Sequence, residues 1–168
     1  AQWTTTAAGC TILGSDGPGP YVTHVTCGRI VDKGITDANN MGAAMAPAAY
    51  DTLSAFFRDT GYKPADFDLI LTGDLGELGH AIVRDFFQRD GVDMGPQFQD
   101  CGLLLYDRKH QDMHAGASGC GCSASVLNCA RCGRASGRPF SSPPPGRCSP
   151  PPLLARGSPS PPSATPCA

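Results

Sequence analysis

The amino-acid sequence predicts an α/β protein, because strand-like and helix-like segments alternate along its first 125 residues. The strand-like segments are short apolar runs rich in β-branched residues, whereas the helix-like segments repeat apolar side chains every three or four positions. Turns that contain glycine and proline separate them. A chain of 168 residues is long enough to bury one core of ordinary size.

Two strands are predicted near the beginning of the chain. Residues 3–14 combine small and β-branched side chains, and residues 21–31 are rich in Val, Thr and Ile. The turn-forming residues 15–20 separate the two segments.

The first predicted helix follows Asn39 and Asn40, either of which can cap it. Pro47 is best accommodated early in a helix, so we expect regular helix to begin near Ala46. Gly61 ends it, in the left-handed conformation that glycine adopts readily. Apolar residues keep helical spacing on one face, namely Met41, Ala44, Met45, Ala48, Ala49, Leu53, Phe56 and Phe57.

The remaining segments continue the alternation. Residues 67–71 are a short apolar run, typical of a strand buried on both faces, and residues 78–87 have the apolar spacing of a helix that ends at Gly91. Residues 101–106 predict another buried strand. The glycine-rich residues 116–123 predict a turn that leads into a helix.

Charge is divided unevenly along the chain. The first 125 residues carry eight basic and fifteen acidic groups, a formal net charge of −7, whereas the last 43 residues carry five arginines and no acidic group. An acidic body argues against nucleic acid as the main partner, since binding to phosphates needs a basic face.

Residues 126–168 differ in composition from the rest, and eleven of the last thirty residues are proline. One interpretation is a Pro/Ser-rich linker. We favour a reading-frame error in a GC-rich gene, because wrong-frame translation of such DNA gives Pro, Arg, Ser, Ala, Gly and Cys with few acids. Residues 144–151 and 155–162 can both be encoded so that one common offset yields apolar or turn-forming sequence. We therefore expect a folded domain at residues 1–125 and an unstructured, out-of-frame tail at residues 126–168.

The nine cysteines are odd in number and irregularly spaced, so they do not predict a disulfide framework. Five lie in the first 125 residues, and we expect them to be small buried side chains of a reducing compartment: Cys10, Cys27, Cys101, Cys120 and Cys122. A zinc site is an alternative, because two closely spaced pairs occur, Cys120 with Cys122 and Cys129 with Cys132. The second pair lies in the tail, so we expect neither a metal nor another cofactor.

The chain has no run of 18 apolar residues, so no segment is predicted to span a membrane. It opens at Ala1 with a strand-like segment and without an initiator Met or a signal-type apolar region. We therefore expect it to be part of a longer protein.

Five separate motifs lie within residues 1–125: AQWT at 1–4, NNMGAAMAPAA at 39–49, DLILTGDLG at 68–76, DCGLLLY at 100–106 and HAGASGCGCSA at 114–124. This set resembles the stage V sporulation protein AD family, and the resemblance extends over essentially all of residues 1–125. The two stretches recovered from the tail by the change of frame also resemble the C-terminal end of that family.

The resemblance implies the C-terminal half of a thiolase-like layered α/β fold. It also implies a sporulation protein that binds dipicolinic acid, a pyridine dicarboxylate, and supports its uptake into the forespore. Such a protein acts peripherally at the spore inner membrane with other proteins of the stage V sporulation A operon. A homodimer is possible, as in thiolase-like proteins.

The resemblance favours binding over catalysis. Condensing enzymes of the thiolase-like superfamily use a Cys nucleophile from the first half and two polar groups from the second. Alignment with that pattern puts Gly73 in the place of the catalytic His and a residue near Cys120 in the place of the second group. Because neither side chain supplies the hydrogen bonds that hold a thioester oxyanion, we assign no catalytic residue. An acyltransferase or condensing enzyme of the thiolase superfamily is the alternative.

One candidate ligand-binding residue is His80, at the start of a predicted helix near a strand end, where α/β sheets bind ligands. The others lie in or directly before the glycine-rich turn: His114, Gly116, Ser118, Gly119, Cys120 and Gly121. Each His is a possible donor to a carboxylate, and an exposed residue without a function is the alternative. The glycines permit a backbone nest that would receive one carboxylate of dipicolinate. Tight packing of the turn against the sheet is the alternative for them.

Overall fold

The computed structural model describes residues 1–17 and 21–126. The elements, in chain order, are β1 (Trp3–Thr4), α1 (Met41–Thr60), a short 3-10 helix (Pro64–Asp66), β2 (Ile70–Thr72), α2 (Gly76–Arg89), β3 (Phe98–Asp100), α3 (Cys101–Leu104) and β4 (Ala117–Ser118). Residues 120–126 are also helical. The mixture of helices and small parallel sheets confirms the predicted α/β class. The proposed tail lies outside the described residues except for Val126, which is buried.

The main core lies between two helices and a pair of parallel strands. β2 pairs with β3 in the register Ile70 to Phe98 and Thr72 to Asp100. α1 and α2 pack on each other, and their apolar faces meet the strands in one buried cluster. Its buried members are Ala46, Leu53, Phe56, Phe67, Ile70, Leu75, Val83, Phe87, Met94 and Phe98.

Helix α1 begins at Met41, five residues earlier than the predicted start at Ala46. Pro47 therefore lies inside the helix, where it lacks an amide hydrogen for the helical hydrogen bond. Its ring is buried, and we attribute its tolerance to the apolar area that it adds to the core. The predicted end is correct: Gly61 has φ 72°, and its N–H donates to the carbonyl of Phe57.

The predicted strands at residues 3–14 and 21–31 are largely wrong. In the first, only Trp3 and Thr4 form a strand, which pairs in parallel with Ala117 and Ser118. The second has no strand conformation and lies exposed beside α1, where Arg29 pairs with Asp51. Strand propensity describes a residue's fit to a half-buried pleated surface. Beyond Thr4, neither segment has a neighbouring strand among the described residues.

The predicted strand at residues 101–106 is also wrong. The chain forms β3 three residues earlier and then turns into α3 at Cys101. Asp100 caps this short helix, because its side chain accepts a hydrogen bond from the N–H of Gly102. An Asp directly before an apolar run is a helix-start signal, and here it outweighs the apolar composition.

Neither long helix in the described ranges combines the length and hydropathy that a bilayer span requires. Helix α2 ends close to the predicted boundary, and the chain reverses at Gly91, which has φ 75°.

Candidate functional site

The candidate site lies where the chain leaves the carboxyl ends of the parallel strands. Residues 73–77, which we call the β2–α2 junction, follow β2 and begin α2. Residues 114–119, which we call the site turn, include β4 and lead into the next helix. The N–H of Gly119 donates to the carboxylate of Asp74 over 3.0 Å, so the two segments meet. Open α/β sheets bind ligands at this edge.

Asp100, the last residue of β3, is fully buried at this edge. Its Oδ1 accepts from the hydroxyl of Thr72 over 2.7 Å and from the N–H of Leu75 over 3.0 Å. Its Oδ2 accepts from the N–H groups of Gly76 and Gly102 over 3.0 and 2.9 Å. Burial raises the pKa of Asp100, and these four donors act in the opposite direction because they favour the charged carboxylate.

The site turn is fixed to the β2–α2 junction by hydrogen bonds at both ends. The N–H of Glu77 donates to the carbonyl of Ala115 over 2.8 Å, and Gly119 bonds Asp74 as described above. Gln2 adds a third link, since its side-chain amide donates to the carbonyls of Asp74 over 2.8 Å and of Ala117 over 3.3 Å.

Two glycines of the segment have clear packing roles. A Cβ atom on Gly116, which has φ 116°, would lie 2.7 Å from the carbonyl oxygen of Gly102. A Cβ atom on Gly121 would lie 2.9 Å from the carbonyl oxygen of Thr5 and would overlap that of Ala7. Close backbone packing therefore accounts for glycine at both positions.

The backbone amide of Gly119 is already used internally, because it bonds the carboxylate of Asp74. Ser118 lies in β4 and is half-buried, and Cys120 is exposed at the first residue of the following helix. A ligand carboxylate at this nest would have to approach beside the charge of Asp74.

His114 projects from the start of the site turn, with a side chain that is 53% exposed. Among the described residues, His114 is the one non-glycine residue whose φ is positive, at 47°. Its ring lies 6.0 Å from that of Trp3, centroid to centroid, and its Nδ1 is 3.6 Å from a carboxylate oxygen of Asp112. His114 lines an open surface depression with Glu77 and residues 108–113.

The depression contains several cationic or potentially cationic side chains, Arg108, Lys109 and His110 together with His114. Arg108 is paired with Glu77 over 2.6 Å, and the His110 Nδ1 lies 2.7 Å from the carboxylate of Asp107. The carboxyl of Asp107 has a lowered pKa, chiefly because His110 hydrogen-bonds it. The depression can thus offer donors to an anion, although neighbouring carboxylates already engage two of them.

His80 lies away from this depression, in the second turn of α2. Its ring stacks on that of Phe98 with centroids 4.5 Å apart, and its Nε2 lies 3.1 Å from the Phe98 carbonyl oxygen. Since a carbonyl only accepts, Nε2 is the donor. Burial lowers the pKa of His80, and the hydrogen bond to Phe98 opposes this effect. These contacts describe a packed, structural imidazole.

The five cysteines of the predicted body do not share one environment. Cys101 and Cys122 are buried as expected, and burial raises the pKa of each thiol to about 12. Cys10, Cys27 and Cys120 are exposed, which corrects the prediction. Cys10 and Cys27 lie in the two segments that do not form the predicted strands, so no sheet covers them.

No three His, Cys, Asp or Glu side chains within residues 1–17 and 21–126 come together in an arrangement that could hold a metal ion. Of the alternative zinc ligands, Cys120 is exposed and Cys122 is buried, and Cys129 and Cys132 lie outside the described residues.

The sequence reasoning missed Gln2, Asp74 and Asp100. Asp74 follows the short apolar strand β2, which is a signal for a site in an α/β fold. Asp100 ends β3, whose sequence Phe-Gln-Asp has one apolar residue and gives no such signal. Gln2 carried no such signal, because its partners lie 72 and 115 residues away along the chain.

The fold and the site describe an α/β protein whose polar groups converge at the carboxyl ends of parallel strands. Residues 1–134 match the family model "Stage V sporulation protein AD". The chain is also 46% identical over 127 residues to stage V sporulation protein AD of Bacillus subtilis (strain 168). That alignment covers 75% of this chain and 37% of the relative. The chain therefore belongs to the stage V sporulation protein AD family, a family of sporulation proteins.

Proposed function

We propose that this chain forms part of a non-catalytic, thiolase-like protein that binds dipicolinic acid and supports its uptake into the forespore. The observation that carries the proposal is the position of His114, an exposed imidazole at the start of the site turn, beside the donors of the depression. Membership of the sporulation family supports the biological setting.

Dipicolinic acid is a flat aromatic ring with two carboxylates, so its recognition requires donors and a surface for the ring. Two donors of the depression are tied to the candidate site, since His114 begins the site turn and Arg108 pairs with Glu77 of the β2–α2 junction. The ring of Trp3, 52% exposed and next to His114, offers an aromatic surface. These residues define the pose that we propose, with one carboxylate toward His114.

Binding is favoured over an acyltransferase activity by the groups at the strand ends. Gly73 has no side chain to hold an oxyanion, so this half lacks one of the two polar groups that condensing enzymes take from it. A condensing enzyme would need a reactive thiolate and paired polar donors in the same place.

The wider setting is also part of the proposal. We place the protein peripherally at the spore inner membrane, with other proteins of the stage V sporulation A operon as partners and a homodimer as a possible state. Because the chain spans 37% of the length of its Bacillus subtilis relative, other parts of such a protein would contribute further ligand contacts.

The test is titration calorimetry of dipicolinate into the wild-type chain and into His114→Ala. Loss of one charge-assisted hydrogen bond predicts a dissociation constant about tenfold or more higher for the variant. His24→Ala is the matched control, since His24 is an exposed histidine whose ring contacts Phe56 and Tyr62 instead of the site turn.

Three outcomes are informative. Equal weakening by His114→Ala and His24→Ala would remove His114 from the site. Absence of heat at millimolar dipicolinate with the wild-type chain would refute binding by this chain. Turnover of an acyl thioester would support the acyltransferase alternative in its place.

A further inference from the structure

Asp100 is hydrogen-bonded to four groups, and none of them belongs to the site turn. Its partners are Thr72, Leu75, Gly76 and Gly102. We propose that Asp100 is nevertheless the positioning residue of the ligand site: it holds the β2–α2 junction, and the junction holds the site turn. The contacts from Asp100 through the β2–α2 junction to the site turn are observed geometry. The expected effect on ligand affinity rests on the function proposed above.

The first step of this linkage is the fixing of the junction. The two backbone N–H groups of Leu75 and Gly76 point at the two oxygens of Asp100, each over 3.0 Å. A carboxylate can satisfy both at once, together with Thr72 and Gly102, because it has about four acceptor positions and no donor. The side chain is fully buried, so water cannot replace it as the acceptor.

The second step is the fixing of the site turn by the same few residues. Asp74, one residue before Leu75, accepts from Gly119, and Glu77, one residue after Gly76, donates to Ala115. The two residues that Asp100 holds are therefore flanked by the two residues that bind the ends of the site turn. A shift of the junction would strain both bonds together.

The geometry around Gly76 leaves the junction little freedom to compensate. A Cβ atom on Gly76, which has φ 65°, would lie 2.5 Å from Nε2 of Gln2 and 2.6 Å from the carbonyl oxygen of Ala115. The backbone thus lies directly against the site turn at the point where Asp100 holds it. Asp100 acts through this contact on the placement of His114, the residue that precedes Ala115.

The experiment replaces Asp100 with Asn, which keeps the side-chain shape. The amide of Asn presents two N–H groups to surroundings in which all four partners of Asp100 are hydrogen-bond donors. At least one backbone N–H then loses its acceptor. We expect amide hydrogen exchange at Glu77 and at Gly119 to become about tenfold faster or more, while exchange in the middle of α1 changes much less. Dipicolinate affinity is expected to fall about tenfold.

Asp93→Asn is the matched control, because Asp93 is an exposed Asp that accepts a bond from the nearby Gly95 N–H, outside the linkage. It should change neither the exchange rates nor the affinity. If Asp100→Asn does not fold, the positioning role is tested by comparing amide exchange in Thr72→Val with that in Thr72→Ser. The valine variant removes one donor to Asp100, and faster exchange at Glu77 and Gly119 in that variant alone is expected.

Unchanged exchange at Glu77 and Gly119 in a folded Asp100→Asn variant, or equal rates in the two Thr72 variants, would overturn the positioning role. A uniform rise across α1, Glu77 and Gly119 would also overturn it, because that pattern reports general destabilisation. If the wild-type chain does not bind dipicolinate but the two amides respond as expected, the proposed function fails and the linkage stands.

Discussion

The crossing of α1 and α2 gives a sharp prediction, because two glycines bring the helix backbones into contact. A Cβ atom on Gly42 would overlap the carbonyl oxygen of Leu75 and would lie 3.1 Å from the amide nitrogen of Gly79. A Cβ atom on Gly79 would lie 2.7 Å from the carbonyl oxygen of Gly42. All of these neighbours are backbone atoms, so no rotation of a side chain can make room.

The change Gly42→Ala should therefore lower the free energy of unfolding. Overpacking against a core costs about 1–3 kcal/mol, and a clash with backbone belongs at the upper end of that range, about 3 kcal/mol. The higher helix propensity of alanine regains about 1 kcal/mol of this lost free energy of unfolding. The net loss is about 2 kcal/mol, and the displacement of Leu75 would reach the β2–α2 junction.

Urea unfolding followed by circular dichroism measures this loss, with Gly61→Ala as the control. A Cβ atom on Gly61 meets no atom within 4 Å, so only the left-handed backbone conformation, with φ 72°, opposes the substitution. Alanine in the left-handed conformation lowers the free energy of unfolding by about 1 kcal/mol, so Gly61→Ala should destabilise the protein less than Gly42→Ala does. A midpoint for Gly42→Ala that equals or exceeds the wild-type midpoint would refute a direct contact between the helix backbones.

Two further predictions concern pH and thiol reactivity. Burial lowers the pKa of His80 below its ordinary value of 6.5, so the unfolded chain binds a proton at His80 more readily than the folded chain does. The free energy of unfolding therefore has its full His80 contribution above pH 6.5 and loses it as the pH falls toward the pKa of the folded state. Urea midpoints between pH 8 and 5 should fall less steeply for His80→Phe than for wild type, and equal slopes would contradict this. In native protein at pH 8, iodoacetamide should label Cys10, Cys27 and Cys120 well before the buried Cys101 and Cys122, as peptide mass spectrometry can show; equal labelling would contradict the burial.

Local rules predicted the helices well and the strands poorly. The helical spacing of apolar residues and the terminal Gly61 depend on neighbours within a few positions, so a single sequence contains them. A strand depends on a partner that is distant in the chain. Residues 21–31 have high strand propensity but no partner among the described residues, and Ile30 is 98% exposed.

The candidate site shows the same division. The glycine-rich segment and His114 were predicted from local sequence; the structure places Gly119 directly after β4, beside Asp74, and His114 three residues before β4. The residues that hold them there were not predicted, because Gly119 and Asp74 are 45 positions apart and Asp100 acts on residues 24 and 25 positions earlier. Single-sequence patterns carry no information about such pairs.

The same long-range bonds explain why the site lies where it does. The described strands form two separate two-stranded sheets, β1 with β4 and β2 with β3, with no backbone ladder between them. Hydrogen bonds from Gln2, Glu77 and Gly119 join one sheet to the junction that follows the other. A buried apolar cluster packs the same region, because Leu71 of β2 and Ala117 of β4 both belong to it, together with Cys101, Cys122 and Val126. Polar bonds and apolar packing therefore both fix the site turn between the two sheets.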